Sequence, residues 1–403
     1  MNEDALIFQQ FTEQLEEEAD EEYWEMGAAS LGVIVGGAEI SRQLRNERRR
    51  ETRQYLTRPE LLENPRIATP WTSLYDSRSD RAYITTMGFD VATFNFILES
   101  GFVQTWLSTP IPRTDTSRSG DPRPGSRSLD PPGALGLVLH YLSSTMLDVS
   151  LQQIFALIPA TVVRYLDFSL DILLEVLQRM PDARIKWPKG GPGGGQFQEY
   201  NDLIIVRHPR LIGAFAAIDG LNLPVQTSED EDIENATYNG WLSEHFVSSV
   251  LVFSPKGKNI NAIVTSFTDN ILGEIIDAVV NAPGSWHDAN VARPIFERLC
   301  TRTPPGYYLI ADTAFPRGHI CHPIALKAGQ AVRGTPDEIA ERMAYDHELL
   351  SYRQTAEWGN RGLQGAFGRL RVPLPIDNAE HRGNLLEICN RLNNLRTRRV
   401  GIN

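Results

Sequence analysis

Cysteine is scarce. The 403-residue chain holds three, Cys300, Cys321 and Cys389. They are too few and too scattered for a disulfide framework, which points to a reducing intracellular setting. A long apolar run is missing too. The stretch from Ala28 to Gly37 is glycine-rich and far short of the roughly 20 residues that a membrane-spanning helix needs, so it reads as a loop or buried turn and no membrane is expected as partner. The N-terminus is acidic rather than basic and then apolar, unlike a secretory leader. Overall positive charge is absent: the formal net charge is −12, whereas a nucleic-acid binder ordinarily carries a basic surface. The glycine tract after Lys189 lacks the GxxxxGK[ST] pattern and is a hinge or loop, not a phosphate cradle.

What is present is ordinary globular material, 41% hydrophobic and 22% charged, in a chain long enough for two or three domains. The charge is segregated, so local balance matters more than the total. Residues 1–25 hold ten acids and no base, and residues 42–58 hold seven arginines against two glutamates. Residues 351–403 hold nine arginines and four acids, a local excess of 9 − 4 = +5. The acidic head reads as a weak helix or disordered tail. The arginine run reads first as a solvated helix face and second as a nucleic-acid arm or nuclear-import signal. A nuclear, or else cytoplasmic, location is expected.

Three regions follow from pattern. Residues 1–133 combine the acidic head, the Arg-rich segment, short helices near Val91–Glu99, and a Pro/Ser/Gly/Arg loop over 110–133. Residues 134–190 carry three helices, the second capped by Ser150 and the third starting at Pro159, in a helix-turn-helix-like outline. Plain helical packing is the competing reading there. Residues 200–403 switch to strands with interleaved helices, an α/β domain with a mixed sheet. Leu211–Gly220, the SSVLVF run, the EIIDAVV run and YYLIAD read as strands, and ANVARPIFERL reads as a helix interrupted at Pro294.

Acids stand at strand tips in this last region, where open α/β sheets place ligands. Asp219 closes one apolar strand and Asp312 another, and Asp288 follows a Pro-Gly-Ser turn. If the first two strands are neighbours, their carboxylates meet at one edge. Glu357 lies in a helical pattern that could deliver a third acid. Carboxylates without a Cys/His cluster favour Mg²⁺ or Mn²⁺ over Zn²⁺, and two such ions about 3.5–4 Å apart serve phosphodiester chemistry. The bland readings are a turn former for each strand-end Asp and an N-cap for Asp288. His287 fits an orienting neighbour better than a proton shuttle. The His319, Cys321, His322 cluster lacks the second spaced pair that zinc would want.

The segments AIDG (217–220), NAPGSWHDANV (281–291), LIADTAFP (309–316), SYRQTAE (351–357) and FGRL (367–370) resemble the PIF/Harbinger family of DDE transposases and the nuclease-like proteins derived from them. The resemblance covers residues 200–400, and more loosely the helical segment 134–188. It implies a ribonuclease-H-like core and metal-dependent DNA cleavage and strand transfer. It makes Asp219, Asp312 and Glu357 the catalytic triad, all three metal ligands, with Asp288 an additional ligand. The family spacing from Glu to Phe-Gly is not kept: Phe367-Gly368 comes ten residues after Glu357, and alignment on it would put Gln364 in the third place. Glu357 is preferred because Gln cannot supply the charge that two metals require. The interval between Asp219 and Asp288 is long for the family and suggests an insertion within Asn259–Asn270.

The first functional expectation is therefore a divalent-metal-dependent DNA endonuclease or transposase. The second is a domesticated, catalytically weak or inactive relative that binds DNA or protein. A nuclease acting on RNA is a third. Arg353, Arg361, Arg369 and Arg371 are candidates to line a DNA channel. The acidity of the chain calls for a separate basic partner to supply DNA affinity, and a homo-oligomer is compatible. The end at Gly401-Ile402-Asn403 reads as a truncation.

Overall fold

The computed structural model describes residues 41, 42, 45, 48, 55–112, 120–240, 243–256, 273–316, 323–325 and 334–401. The chain divides into two compact units, Met1–Leu56 and Thr57–Asn403. In the first, Ser41, Arg42, Arg45 and Arg48 are helical and exposed. The acidic head, the Asn259–Asn270 segment and the His319, Cys321, His322 cluster lie outside the described residues.

The second unit begins with short helices whose starts are written locally. Thr69, Ser79 and Asp90 each accept a backbone N–H in capping α1 (Pro70–Ser77), α2 (Asp80–Met87) and α3 (Val91–Ile97). A π turn over Leu98–Phe102, with Gly101 at φ 122°, leads into α4 (Val103–Ser108). Helix α5 (Pro131–Ser143) is capped by Asp130, and its residues from Gly133 to Leu142 are all buried. Such a helix, apolar all round, belongs at the centre of a core. Helices α6 (Asp148–Phe155) and α7 (Pro159–Arg179) follow. Ser150 is not a cap: the helix starts two residues earlier, with Leu147 in the capping place. Pro159 does open α7. That helix buries Val162, Leu166, Leu170, Leu173, Val176 and Leu177, a stripe at helical spacing, and packs on α5 and on the C-terminal helix.

Helix α8 (Gln196–Ile205) leads into the sheet: β1 (Ala214–Pro224), β2 (Tyr238–Asn239), β3 (Glu244–Phe253), β4 (Ile275–Pro283), β5 (Tyr308–Ala311) and β6 (Ile324–Ala325). The strand order is β2-β3-β1-β5-β6, with β4 also pairing with β3. Strand β3 runs antiparallel to β1 and β4, while β5 and β6 run parallel to β1. The sheet is mixed, as the sequence led one to expect. Helix α9 (Glu231–Thr237) lies between β1 and β2, and α10 (Asp288–Val291) and α11 (Arg293–Arg302) between β4 and β5. Helices α12 (Pro336–Ala366) and α13 (Ala379–Arg399) close the chain. The run is interrupted as expected, at Ala292 between α10 and α11, and Pro294 lies in the first turn of α11, where its missing N–H is no loss.

Strand alternation sends neighbouring residues to opposite faces. Ala217, Leu221 and Leu223 of β1 join Leu251 and Phe253 of β3 in a core shared with α5, α7, α12 and α13. Ala216 and Ile218 join Val250 and Val252 in a second core with Phe197 of α8 and Ile295 and Leu299 of α11. The first core runs without a break from Trp71 to Leu395, across the glycine tract at 190–195.

One expectation needs correcting. Strand β1 does not end at Asp219, because β3 keeps pairing with it from Asp219↔Leu251 to Pro224↔Phe246. Only the parallel partner stops there, since the β1–β5 register ends at Ile218↔Ala311. Cys300 is disulfide-bonded, and Cys389 is free and buried in the first core. Among the described residues, no helix is long and apolar enough to cross a membrane.

Candidate active site

The register of β1 and β5 builds the site. Ile218 pairs with Ala311, so the next residue on each strand is a carboxylate, Asp219 beside Asp312. Asp219 is held in the sheet by its pairing with Leu251 of β3. Asp312 begins a turn after β5, closed by the Phe315 N–H on the Asp312 carbonyl at 3.2 Å and by the Thr313 N–H on its own carboxylate. Asp219 falls on the same alternation as Ala217 and Leu221 and so faces α12.

Helix α12 brings its own groups to that face. Its start is fixed by a capping box at Thr335 and Glu338. Arg353, Glu357 and Asn360 stand at i, i+4 and i+7, on one side of the helix. Arg353 binds Glu357 at 2.6 Å and reaches Asp312 at 3.5 Å. Its guanidinium therefore lies between two of the acids. The Asn360 amide donates to both the Asp219 carboxylate and the Gly220 carbonyl, each at 3.0 Å. The helix can come this close because residue 359 is glycine. A Cβ there would lie 2.5 Å from the Phe253 ring of β3.

Asp288 arrives from the other face. It is the first residue of α10, not its cap. The cap is His287, whose Nδ1 accepts the Ala289 N–H at 3.3 Å. His287 thus orients its neighbour. The Asp288 carboxylate packs where a side chain on Gly220 would have to go, and Gly220 alternates away from α12. Asp219 and Asp288 are consequently separated by the sheet.

The electrostatics agree with this placement. Burial, helped by the charges of Asp312 and Glu357, pushes Asp219 up to about 6, against the pull of the Gly220 N–H and Arg353. Burial also raises Asp288, with Asp312 adding to it and His287 opposing. Asp312 acts on both.

Four hard-oxygen acids therefore gather around residues 219 and 220 in two groups joined by Asp312. Among the described residues, no three of the His, Cys, Asp and Glu side chains stand close enough to hold one ion as they are. Arg353 stands between Asp312 and Glu357 and pairs with both. The donor set suits a hard divalent ion all the same. Asn360 Oδ1 is a buried acceptor with no partner.

Sequence reasoning missed Asn360. The signal for it was its place seven residues after Arg353 and three after Glu357, on the helix face already under discussion. Gln364 lies a further turn on and is half-exposed; it is Asn360 that binds Asp219. Of the arginines considered for a DNA channel, Arg361 and Arg371 are exposed, Arg353 sits among the acids, and Arg369 stacks over the Tyr141 ring at 4.4 Å.

No curated protein and no solved structure matches the chain. Residues 218–394, the stretch that carries Asp219, Asp288, Asp312, Glu357 and Asn360, match the family model of the DDE superfamily endonuclease.

Proposed function

We propose that the protein is a divalent-metal-dependent DNA endonuclease of transposase type, in the PIF/Harbinger branch, with Asp219, Asp312 and Glu357 as its metal-holding acids. The observation that carries this is the pairing of Ile218 with Ala311, which sets Asp219 beside Asp312 under a helix that supplies Glu357. The match of residues 218–394 to an endonuclease family supports the same reaction class. A core of ribonuclease-H type is supported by the strand order, with three antiparallel strands followed by two parallel to the first.

Mg²⁺ or Mn²⁺ held by these acids would neutralise the phosphodiester and activate the attacking oxygen. The chain's own groups prepare for that. Asn360 fixes the orientation of the Asp219 carboxylate. Burial and like charge leave Asp219 poorly satisfied as an anion until positive charge arrives. Arg353 holds Asp312 and Glu357 together meanwhile, and its release would free it to meet a phosphate. Helix α7 is committed to the core, so DNA contact is assigned to the acid site, the exposed arginines and a separate basic partner rather than to α6–α7. The fold and charge pattern leave a homo-oligomer and a nuclear location as companion proposals.

The test is nicking of supercoiled DNA by the purified protein with Mn²⁺ or Mg²⁺. Activity in the wild type that is lost in both Asp312→Asn and Glu357→Gln is the expected result. A wild type that neither cleaves nor binds Mn²⁺ in calorimetry, with DNA present, would refute it. That result would favour the second reading, a non-catalytic DNA- or protein-binding relative, for which the observation is Arg353 already lodged between two of the acids.

A further inference from the structure

Beside Asp288, on the face of the sheet away from α12, lies a cleft of about 520 Å³ lined by Asn222, Asn239, Ser248, Trp286, His287 and Asp288, with Ala314 at its edge. Its volume falls within the roughly 300–1,000 Å³ usual for sites that take a small organic group. Trp286 is 52% exposed and has no ring partner among the described residues. An exposed tryptophan is unremarkable on a mobile loop, but this one stands on a fixed corner. The Trp286 N–H binds the Pro283 carbonyl at 3.0 Å, and the Ser285 N–H binds the Ala236 carbonyl at 3.1 Å. Asn239 donates to the Gly284 carbonyl at 3.1 Å. Gly284 is packed so tightly against the Phe246 and Thr237 carbonyls that no side chain fits there. The backbone is pinned while a large flat ring is left facing solvent.

The groups opposite are polar and set. The Ser248 hydroxyl donates to Asn222 Oδ1 at 2.8 Å, which turns the Asn222 amide so that its N–H₂ remains a donor. His287 accepts through Nδ1, so its neutral ring carries the proton on Nε2, a second donor. Asp288 supplies an acceptor. A flat apolar platform with a few donors and an acceptor at its rim is the chemistry that takes a nucleobase. The cleft reaches the turn that carries Asp312 through its lining residue Ala314, and Asp312 lies near enough to Asp288 to raise it.

We propose that this cleft holds one unpaired nucleobase of the substrate strand, stacked on Trp286, next to the scissile phosphodiester. The idea rests on the endonuclease reading for its substrate. It assigns Asp288 to base recognition and strand placement, and leaves Asp219, Asp312 and Glu357 for the ions.

The test uses the full chain and a short single-stranded oligodeoxynucleotide carrying 2-aminopurine, whose fluorescence falls on stacking. Wild type, Trp286→Phe and Trp286→Leu are compared with and without Mn²⁺. Quenching in wild type and Trp286→Phe, with quenching lost and affinity lowered about ten-fold in Trp286→Leu, is expected from the usual worth of a base–aromatic contact. Equal quenching and affinity in all three proteins overturns the proposal. Thermal melts establish that the variants are folded, and Leu keeps an apolar side chain at an exposed site. If the wild type fails to cleave DNA while quenching still depends on an aromatic at 286, the endonuclease reading falls and the base pocket stands. If the wild type cleaves and Trp286→Leu quenches normally, the pocket falls alone.

Discussion

The approach of α12 to the sheet is the contact on which the site depends, and Gly359→Ala perturbs it at one atom. A Cβ at 359 would lie 2.5, 2.6 and 2.7 Å from three atoms of the Phe253 ring. Carbon atoms settle about 3.5–4.0 Å apart, so the helix or the ring must give by about 1 Å. Phe253 is fully buried in the first core, where a ring shift would disturb its neighbours, so the helix is expected to move. Overpacking of this kind costs about 1–3 kcal/mol, which lowers the melting temperature by roughly 2–4 °C per kcal/mol in a domain of this class. Glu357 and Asn360 flank the position, and a misplacement of about 1 Å in a catalytic group costs on the order of 100-fold in rate. Gly365→Ala in the same helix is the control, since a Cβ there meets nothing within 4 Å. It should stabilise the helix by about 0.5–1 kcal/mol and leave cleavage unchanged. Melting curves and a plasmid-nicking assay on both variants decide the matter. A Gly359→Ala protein that melts and cleaves like the wild type would refute the claim that this contact sets the position of the acids.

Other perturbations separate charge from packing. Gly220→Ala pushes only the tip of the Asp288 side chain, so the melting temperature should hold within about 2 °C, a shift worth under about 1 kcal/mol, while strand binding weakens. A matched loss of stability would mean that the backbone, not the carboxylate, gives way. Asp219 sits at about 6 in the native state, above its unfolded value near 3.8. The native state thus prefers the protonated form, and the stability from that preference, present below about pH 4, is lost as pH rises through 6. Asp219→Asn should be more stable than wild type at pH 8 by at most roughly 3 kcal/mol, with the gap closing toward pH 4; a pH-independent difference in chemical denaturation would contradict this. Arg353→Gln leaves Asp312 and Glu357 without their shared cation, so the variant should melt lower than wild type in chelator and recover more than wild type on adding Mn²⁺. Recovery no greater than that of wild type would show that Arg353 does not occupy the cation's place.

Much of this was written in short stretches of chain. The strands are legible because β-branched and apolar runs end in turn residues, and the helices because apolar spacing marks α5 and α7, the latter opening at Pro159. Asp219 and Asp312 stand out by position at the ends of apolar runs, while the roles of all four acids rest on the family resemblance. What local sequence could not fix was pairing. Asp219 looked like a strand end because Gly220 follows it, yet β3 carries the strand to Pro224. The break belongs to β5, and no residue near 219 records where a partner 93 positions away stops. Asp288 and Asp219 look like members of one cluster until strand alternation and the missing Cβ of Gly220 place them on opposite faces.

The sequence by itself determined the helical first half and the mixed second half and marked Asp219, Asp288, Asp312 and Glu357 as candidates, since propensity and turn chemistry act over a few residues. Tertiary structure alone decided the β1–β5 register that joins Asp219 to Asp312, the lodging of Arg353 between two acids, the service of Asn360 to Asp219, and the pinned, exposed ring of Trp286. Those are contacts between segments far apart in the chain, set by how two cores pack on the two faces of one sheet, and packing is a property of the whole unit.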